Sequence, residues 1–569
     1  MRFYFQRGSF FIGLAFLIVA PGVAGATTVS NPGVNPRAGT VLANVPRLPV
    51  RDLGRAASGM RVDLVVSLKY RNEQQLEALI QKLSDPQSPA YGHFLTPQQF
   101  RDSYAPTFAD HLRVVQTLQR AGFTVTQTFL NRTVIDVSAP AAVVERYFKT
   151  EIHHVNQPDV GLRYANSRPA YLPAELRDVV SGVGGFDNLR IAKPMNVRAQ
   201  GARSDMALGS PLQGPDTGLG PYAFANAYDF PVQHSVSGGA AGQTYDGKGH
   251  SAGVAIDSDF LDSDLAAFLG FFNITRTAPP VARVPVDGGA GIGFDQLETT
   301  LDVETIAGLA PGAGLYVYLI PQLTYVDILD LYNKVVSDNK VDVINSSFGG
   351  CETFTLPATF PQDSDHIAQQ GAAEGITFAA SSGDFGADQC FFNANPLGVS
   401  TPASGPHFTA VGGTSLIIYP TAAYKTELAW NGSGGGVSAI FPLPSYQRGI
   451  RNIIGKTRNV PDVSFDANPG SGESLYYNGR FSGPIGGTSL SSPIFSALVA
   501  EINQVHAKRS GLIDAAIYAR FKKVGYGTKF RDITLGNNAL FGPGYTALPG
   551  YDQVTGVGSM IGFPYATAK

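Results

Sequence analysis

Residues 315–320 read Leu-Tyr-Val-Tyr-Leu-Ile, and a helical pattern follows them over residues 325–338. A short apolar run between turn residues is typical of a strand that is buried on both faces. The same alternation of apolar runs and helical stretches repeats around this unit: strands are predicted at 252–256, 341–344 and 376–380, and helices at 262–271, 296–309 and 362–374. The pattern predicts an α/β domain with a doubly wound parallel sheet.

The segment with the clearest chemical meaning lies further along the chain. Residues 486–493 read Gly-Gly-Thr-Ser-Leu-Ser-Ser-Pro, and a helical pattern continues to residue 502. Ser489 thus begins a helix, where backbone amides and the helix dipole favour a developing negative charge. A serine at this position is also a common helix cap. Because subtilisin-type serine peptidases share Gly-Thr-Ser-x-x-x-Pro, the segment indicates a nucleophilic serine.

A nucleophilic serine needs a general base, and the histidines do not supply an obvious one. A subtilisin-like enzyme would carry His-Gly-Thr-His, and none of the nine histidines lies in such a segment. His250 comes nearest and is better explained as a structural residue. The base is therefore sought among the carboxylates.

Two carboxylates stand four residues apart in the helix predicted at 296–309. Glu298 and Asp302 should lie on one helix face, and the apolar residues around them place that face near the core. Like charges at this spacing destabilise a plain helix, which indicates a use for the pair. A solvated acidic face that includes Glu304 is the alternative.

A third carboxylate, Asp384, follows the strand predicted at 376–380. It lies in the segment Ala-Ser-Ser-Gly-Asp-Phe-Gly at residues 380–386. Parallel sheets place functional residues just beyond the carboxyl ends of their strands. Aspartate in such a segment is also a common turn former, so Asp384 has chemical meaning only beside the other carboxylates and Ser489.

The front part of the chain has another pattern. Over residues 61–194 the order of predicted elements is β-α-α-β-β-α-β, which fits a ferredoxin-like α+β domain with one extra helix. The predicted strands are 61–70, 123–130, 133–138 and 151–155. Residues 27–60 are expected to form a disordered lead, and residues 195–220 an exposed linker that a protease could cut. The α/β domain then covers residues 221–569.

The N-terminus predicts export. Arg2 and Arg7 precede an apolar run at residues 10–20, and Ala-Gly-Ala at 24–26 provides small residues for cleavage. This order is typical of a secretory signal peptide, predicted here over residues 1–26. An uncleaved anchor is the alternative, but the run has only about half the length of a membrane span. We expect a soluble mature protein outside the cell.

Composition and charge exclude other classes of protein. Among 569 residues only 15% are charged, the net charge is −3, and no block of Lys or Arg suggests nucleic-acid binding. Two cysteines are too few for a disulfide-dense scaffold or a four-cysteine zinc site. The charge is unevenly divided, with a net +6 over residues 45–204 and −12 over residues 205–569. The two parts should therefore attract each other.

Together these segments resemble the sedolisin (serine-carboxyl peptidase) family, of the kumamolisin-like type with an N-terminal activation domain. The resemblance covers nearly the whole chain after the predicted signal peptide. Residues 84–97, Ser-Asp-Pro-Gln-Ser-Pro-Ala-Tyr-Gly-His-Phe-Leu-Thr-Pro, are similar to the family's pro-domain signature. Supporting segments in the back part are residues 345–349, 402–404, 410–414, 434–438 and 460–464. One departure is Phe348, where many relatives have Trp.

The resemblance implies a subtilisin-like catalytic domain and a role for each candidate residue. Ser489 matches the nucleophile, Glu298 its general base, Asp302 the carboxylate that orients the base, and Asp384 the residue that stabilises the oxyanion. Glu298 must be ionised to accept a proton, whereas Asp384 must be protonated to donate a hydrogen bond. These states coexist most easily at acidic pH, where a histidine base would already be protonated.

The resemblance also implies one calcium ion near the end of the chain. Asp532 and Asp552 match the ligands that use side chains, and Ile533, Leu548 and Gly550 match those that use main-chain oxygens. Such a shell of hard oxygen donors suits calcium. Relatives often have glycine at the position of Leu548, a change that a carbonyl ligand tolerates if the backbone does.

The two cysteines follow neighbouring predicted strands. Cys351 and Cys390 could form a disulfide that braces loops beside the cleft, which is reasonable in an exported protein. Two free buried thiols are the alternative.

The sequence thus predicts a secreted, acid-acting serine-carboxyl endopeptidase, made as a zymogen that removes its own pro-domain near residues 195–220. Expected partners are polypeptide substrates and the pro-domain as an intramolecular inhibitor, with no nucleic acid and no membrane after signal removal. A tripeptidyl aminopeptidase of the same fold, a catalytically inactive binding relative and a subtilisin-like histidine enzyme are the alternatives. The intact set of four candidate residues argues against an inactive relative.

Overall fold

The computed structural model describes residues 41–43, 49–199, 212–236, 242–354, 360–390, 397–523 and 525–568. The predicted signal peptide and most of the predicted lead lie outside these residues, as do residues 200–211 of the predicted linker. Among the described residues, no helix combines the length and apolar character that crossing a membrane requires.

A central sheet of eight strands forms the core of the back part of the chain. Its strands, in order across the sheet, are Ala282–Pro285, Gly314–Leu319, Ser251–Ile256, Val343–Ser346, Thr377–Ser381, Phe408–Ile418 and Tyr424–Ala429, with Val463–Asp466 also paired to Phe408–Ile418. All these neighbours run parallel except the pair formed by Tyr424–Ala429. The predicted doubly wound parallel sheet is confirmed.

Long helices pack around this sheet, and all of them except Ile513–Phe521 overlap predicted helical segments. The helices are Asp262–Phe271, Gln296–Leu309, Tyr325–Asp338, Phe360–Ala373, Thr488–His506 and Ile513–Phe521. The helix Tyr325–Asp338 begins where the Thr324 hydroxyl accepts a hydrogen bond of 3.3 Å from the amide of Asp327, which caps an otherwise unsatisfied donor. Local signals of this kind explain why the sequence located these helices.

The front domain is ferredoxin-like, with a four-stranded antiparallel sheet in the order Thr124–Thr128, Val134–Pro140, Arg61–Leu68 and Val180–Gly184. Its helices are Glu73–Ser84, Pro97–Ser103, Phe108–Ala121 and Ala141–Phe148. The Thr96 side chain caps the second helix in a full capping box with Gln99. Gly122 ends the third helix with φ of 101°, in the left-handed conformation that favours glycine at this position.

Two details of the front domain differ from prediction. The fourth strand of the sheet is Val180–Gly184, whereas the predicted strand at 151–155 is Ile152–Gln157 and lies in a separate sheet. That sheet also contains Arg51–Arg55, inside the stretch for which no regular structure was expected. An apolar alternation identifies a strand but not its partner, and an exposed edge strand such as Arg51–Arg55 carries no such alternation.

The front domain docks on the helices Tyr325–Asp338 and Phe360–Ala373 of the back part. Asn131 donates to the side-chain oxygen of Asn333 at 2.7 Å, and the Tyr70 hydroxyl donates to the backbone oxygen of His366 at 2.9 Å. Arg163 donates to Gln322 at 2.6 Å. These contacts bring the end of the front domain to the carboxyl edge of the central sheet, where the candidate residues lie.

Candidate active site

Glu298 and Asp302 lie on the helix Gln296–Leu309, and both side chains are fully buried. The structure therefore excludes a solvated acidic face for this pair. Oε1 of Glu298 and Oδ2 of Asp302 have no hydrogen-bond partner among the described residues. Burying two carboxyls on one helix face, each with an unsatisfied oxygen, lowers the stability of the folded protein. Such an arrangement is typical of a functional site.

Ser489 is the second residue of the helix Thr488–His506 and is also fully buried. Gly487, which directly precedes this helix, has φ of 95°. If another residue replaced it, the new Cβ atom would lie 2.6 Å from Oδ2 of Asp384. Only glycine fits this position without strain. The turn therefore brings the start of the helix against the loop that carries Asp384.

Asp384 follows the strand Thr377–Ser381 and binds the start of the same helix. Its Oδ1 accepts hydrogen bonds from the amide of Thr488 at 2.7 Å and from the Thr488 hydroxyl at 2.8 Å. Its other oxygen, Oδ2, faces the space beside Gly487. Asp384 is thus more than a turn former, because its side chain joins the loop to the segment of Ser489.

A small polar network connects Asp302 with Ser489. Ser347 donates from Oγ to Oδ1 of Asp302 at 2.6 Å, and the Asn345 amide donates to Ser347 Oγ at 2.9 Å. The Ser489 hydroxyl donates to the backbone oxygen of Ser347 at 3.1 Å. Sequence reasoning assigned no role to Asn345 and Ser347, although both belong to a segment that carried the family resemblance.

The chain itself runs through this site. Lys193–Pro194 pairs antiparallel with Phe348–Cys351, and Val197–Arg198 pairs antiparallel with Arg480–Gly486. Residues 193–198 therefore lie extended across the candidate residues. Met195 and Asn196 are the two residues between the paired segments Lys193–Pro194 and Val197–Arg198. The sequence placed a linker here, and its path was not predicted because it depends on pairing with two distant strands.

Met195 and Asn196 contact the candidate residues directly. The amide of Ser489 donates to the Met195 carbonyl oxygen at 2.8 Å, and that oxygen lies beside Gly487 together with Oδ2 of Asp384. The Asn196 amide donates to Oε2 of Glu298 at 2.6 Å. The Met195–Asn196 peptide bond is thus held between the serine, the paired carboxyls and Asp384.

Burial dominates the electrostatics of the carboxyls. It raises the pKa of Glu298 well above the ordinary value, and the neighbouring Asp302 adds to this, while the hydrogen bond from Asn196 and the nearby Ser489 hydroxyl oppose it. Burial also raises the pKa of Asp302, against the hydrogen bonds from Ser347 and Asn345. The pair therefore retains a proton in the acidic range.

Burial raises the pKa of Asp384 to about 7, although hydrogen bonds from Thr488 and the nearby charge of Lys193 favour its ionised form. Below that pH the carboxyl is protonated and can donate a hydrogen bond from the oxygen that faces Met195. This arrangement can polarise a carbonyl group and stabilise an oxyanion.

The loop at residues 548–552 gathers the two carboxylates expected to bind calcium. Leu548 donates its amide to Oδ2 of Asp552 at 3.1 Å, and Gly550 donates to both oxygens of Asp532 at 3.0 Å. Neither carboxylate pairs with a Lys or Arg in the described part of the chain. Those residues contain no group of three or more His, Cys, Asp or Glu arranged for a metal ion. The carboxylates of Asp532 and Asp552 and the main-chain oxygens expected to join them are all hard oxygen donors, the type of ligand that calcium prefers.

Cys351 and Cys390 form a disulfide, with Cα atoms 4.9 Å apart. The alternative of two free thiols is therefore wrong. The bridge connects the strand Phe348–Cys351, which pairs with the linker, to the loop that follows Asp384.

Two family models match the chain. The pro-kumamolisin activation domain matches residues 50–189, and the subtilase family matches residues 288–518. The first match begins just before the strand Arg51–Arg55 and ends just before the segment that enters the site.

Curated relatives match over most of their length. Sedolisin from Pseudomonas sp. (strain 101) is 33% identical over 95% of this chain and 92% of its own. Kumamolisin from Bacillus sp. (strain MN-32) is 31% identical over 90% of this chain and 92% of its own. Tripeptidyl-peptidase 1 from Canis lupus familiaris is 28% identical over 89% of this chain and 91% of its own.

A solved structure agrees with these matches. Pseudomonas sedolisin, a serine-carboxyl proteinase complexed with two molecules of pseudo-iodotyrostatin, is 30% identical, with a TM-score of 0.53. The alignment covers 61% of this chain and 97% of that one. The chain therefore belongs to the sedolisin family of serine-carboxyl peptidases and carries a pro-kumamolisin-type activation domain before its subtilisin-like serine peptidase domain.

Proposed function

We propose that this protein is a secreted, acid-acting endopeptidase whose zymogen cuts its own chain between Met195 and Asn196. The observation that carries the proposal is the hydrogen bond from the Ser489 amide to the Met195 carbonyl oxygen, at 2.8 Å. Because the amide and the hydroxyl belong to the same residue, that bond supports attack by the Ser489 hydroxyl on the carbonyl carbon of Met195. The pro-domain then covers residues 61–195, and the mature peptidase begins at Asn196.

In the proposed reaction, Ser489 attacks the Met195 carbonyl carbon while Glu298 takes the proton of its hydroxyl. Asp302 shares a helix face with Glu298 and is held by Ser347, so it orients and supports the base. Protonated Asp384 and the amide of Ser489 stabilise the oxyanion. Glu298 then returns the proton to the departing amine of Asn196, and water hydrolyses the acyl-enzyme by the reverse roles.

Acidic conditions suit this set of residues. Asp384 has a pKa of about 7 because of burial, so it holds its proton throughout the acidic range. The neighbouring Asp302 raises the pKa of the buried Glu298, so one carboxylate charge shared by the pair is favoured over two. A histidine base would be protonated under the same conditions.

An extended non-primed side of the cleft favours endopeptidase activity over tripeptidyl release. Five residues before Met195, Arg190 to Pro194, already lie along the catalytic domain, and Ile191 donates its amide to the Leu323 oxygen at 3.1 Å. A cavity of about 340 Å³ lies beside them. Because tripeptidyl-peptidase 1 is among the relatives, tripeptidyl aminopeptidase activity is the second candidate function.

Two further parts of the proposal concern calcium and location. We infer that one calcium ion binds at the loop that holds Asp532 and Asp552, with main-chain oxygens of Ile533, Leu548 and Gly550 completing its ligands. The gathered carboxylates support this site. The signal peptide predicted at residues 1–26 supports secretion.

The proposal is tested by the Ser489→Ala precursor at acidic pH. The parent should lose its front domain and yield a new N-terminus at Asn196, whereas the variant should stay at full length. Ser482→Ala is a matched control, because the Ser482 hydroxyl donates to the backbone oxygens of Tyr477 and Arg480 and to none of the candidate residues. Digestion of an unfolded, N-acetylated protein separates the two peptidase classes: internal cuts support the endopeptidase, and no cleavage supports the tripeptidyl enzyme.

A further inference from the structure

Arg190 of the pro-segment inserts its guanidinium between two carboxylates of the catalytic domain. The Nη2 atom of Arg190 donates to Oδ2 of Asp257 at 3.3 Å and also contacts Oδ2 of Asp295. Asp257 follows the central strand Ser251–Ile256, and Asp295 immediately precedes the helix of Glu298. The side chains of Asp257 and Asp295 are only 8% and 6% exposed.

The carboxyl pair is incomplete without a cation. Oδ1 of Asp257 is buried and accepts no hydrogen bond within the part of the chain that the structure describes. Two buried carboxylates side by side repel each other, and leaving them unpaired costs more free energy than leaving an exposed pair. The pair does not belong to the set proposed to handle the proton of Ser489. A purely structural role does not explain why the Asp257–Asp295 pair binds a residue of the segment that processing removes.

The backbone of Arg190 is positioned as part of a peptide that follows the cleft. Gln157 exchanges two hydrogen bonds of 3.0 Å with it, and the next residue, Ile191, binds the Leu323 oxygen. Gln157 belongs to the front domain, whereas Leu323 belongs to the catalytic domain and remains after processing. A substrate peptide in the same register can therefore place a side chain where Arg190 now lies.

We propose that Asp257 and Asp295 form a substrate subsite for a basic side chain, preferably arginine, at the sixth position before the cleaved bond. Arg190 occupies this subsite in the zymogen and leaves with the pro-domain. The planar guanidinium can bind two carboxylates at once, whereas a lysine ammonium lacks that fork. The inference rests on the proposed function, because the position is counted from the Met195–Asn196 bond.

The test uses the mature enzyme and two N-acetylated peptides that span residues 187–200. One peptide carries arginine at the position of Arg190, and the other carries Gln there. Both are cleaved in one tube, so the ratio of their rates equals the ratio of their kcat/KM values. We expect the arginine peptide to be preferred by roughly tenfold, as for a charge-assisted hydrogen bond. A third peptide with lysine should fall between the two. Acetylation removes the positive charge of the peptide's amino terminus, which could otherwise bind Asp257 and Asp295 in place of the arginine side chain.

Asp257→Asn and Asp295→Asn should each lower the arginine preference toward one. Asp259→Asn is the matched control, because Asp259 pairs with Arg283 at 3.1 Å. That variant should retain the preference. Equal cleavage of the peptides by the parent enzyme overturns the inference while leaving the proposed function intact. Absence of any cut between the Met and Asn residues counts against the proposed function instead. The parent measurement decides the matter even if a variant fails to fold.

Discussion

The side-chain amide of Asn196 donates a hydrogen bond of 2.6 Å to Oε2 of Glu298. The residue that follows the proposed cleavage site therefore occupies an oxygen of the proposed general base. Meanwhile the Ser489 hydroxyl donates to the Ser347 backbone oxygen at 3.1 Å. The zymogen is thus in a resting arrangement, in which the Ser489 hydroxyl must leave the Ser347 oxygen before its proton can reach Glu298.

Asn196→Ala should slow self-processing of the precursor at acidic pH. The hydrogen bond from Asn196 favours the ionised form of Glu298, which is the form that accepts a proton. A hydrogen bond to a charged group contributes about 1.5–3 kcal/mol, so its loss is expected to lower the rate by roughly tenfold or more. The rate is measured by gel electrophoresis of the precursor after a jump to acidic pH. Val197→Ala provides the control for a changed residue near the bond. A rate equal to or above that of the parent would show that Asn196 does not help to keep Glu298 ionised.

Asp384→Asn should lower activity and flatten its decline at higher pH. Burial raises the pKa of Asp384 to about 7, so the protonated donor is present below pH 7 and is lost as pH rises through that value. An amide keeps its N–H donor at every pH. The measurement is kcat/KM of the mature enzyme from pH 3 to 8. If parent and variant decline identically, Asp384 does not supply the oxyanion donor.

Calcium should stabilise the parent and have a much smaller effect on Asp532→Asn. Asp532 is exposed, so its replacement should perturb the apo fold little, in contrast to replacement of the buried Asp552. Binding to the folded state alone raises stability by about 2.7 kcal/mol at a hundredfold excess over Kd. Tm is measured with chelator, with calcium and with magnesium as the control ion. An equal calcium-dependent rise in both proteins would place the ion elsewhere.

Much of the fold was predictable because its signals are local. Apolar runs and caps such as Thr324 lie within a few residues of the elements they define. The four candidate residues could be proposed from motifs in the same way. Their juxtaposition with Met195 and Asn196 could not, because the linker is held by strands that lie far away in the sequence.

Non-local pairing explains the other differences. Val180–Gly184 completes the front sheet only through contact with Arg61–Leu68, more than a hundred residues earlier. The site formed by Arg190, Asp257 and Asp295 likewise joins three separate segments, and none of them carries a motif. Such features follow from docking of the two domains rather than from any local pattern.

The interface between the domains contains a buried histidine between two carboxylates. His407 contacts Asp365 and Glu77 at 3.0 Å each, and Glu77 belongs to the front domain. Although burial opposes it, hydrogen bonds from His407 and from Gln369 and Gln81 lower the pKa of Glu77 from 4.5 to about 2. Despite burial, the two carboxylates raise the pKa of His407 to about 10, so its charge is constant in the acidic range.

Glu77→Gln should weaken retention of the cleaved pro-domain at pH 5 and have little effect near pH 2. Because the docked pKa of Glu77 lies below 4.5, its contribution is complete above that pH and disappears as pH falls toward 2. Size-exclusion chromatography of the processed protein measures the retained fraction. Glu73→Gln, an exposed change on the same helix, is the control. Equal loss of retention at both pH values would contradict a role for the Glu77 charge.

A second interfacial carboxyl should act in the opposite direction. Asp136 of the front domain faces Asp330 and Asp287 of the catalytic domain, and burial together with the charge of Asp287 raises the pKa of Asp136 from 3.8 to about 8, against a hydrogen bond with Asp330. A raised pKa means that docking favours the protonated form, so docking weakens as pH rises from about 4 to 8. The attraction expected from the uneven charge division is therefore opposed here by carboxyls that repel one another.

Asp136→Asn should remove most of this weakening, because an amide stays neutral at every pH. We expect the retained fraction of pro-domain at pH 7 to rise several-fold relative to the parent, while retention at pH 4 changes little. Combined with Glu77, this gives the parent its tightest docking near pH 4 to 5, with release on further acidification. Size-exclusion chromatography across pH 2 to 8 measures the loss of docking at the acidic end and its weakening toward pH 8. Asp110→Asn, in the helix Phe108–Ala121 of the front domain, serves as the control. A parent whose retention only increases up to pH 8 would show that Asp136 remains ionised in the interface.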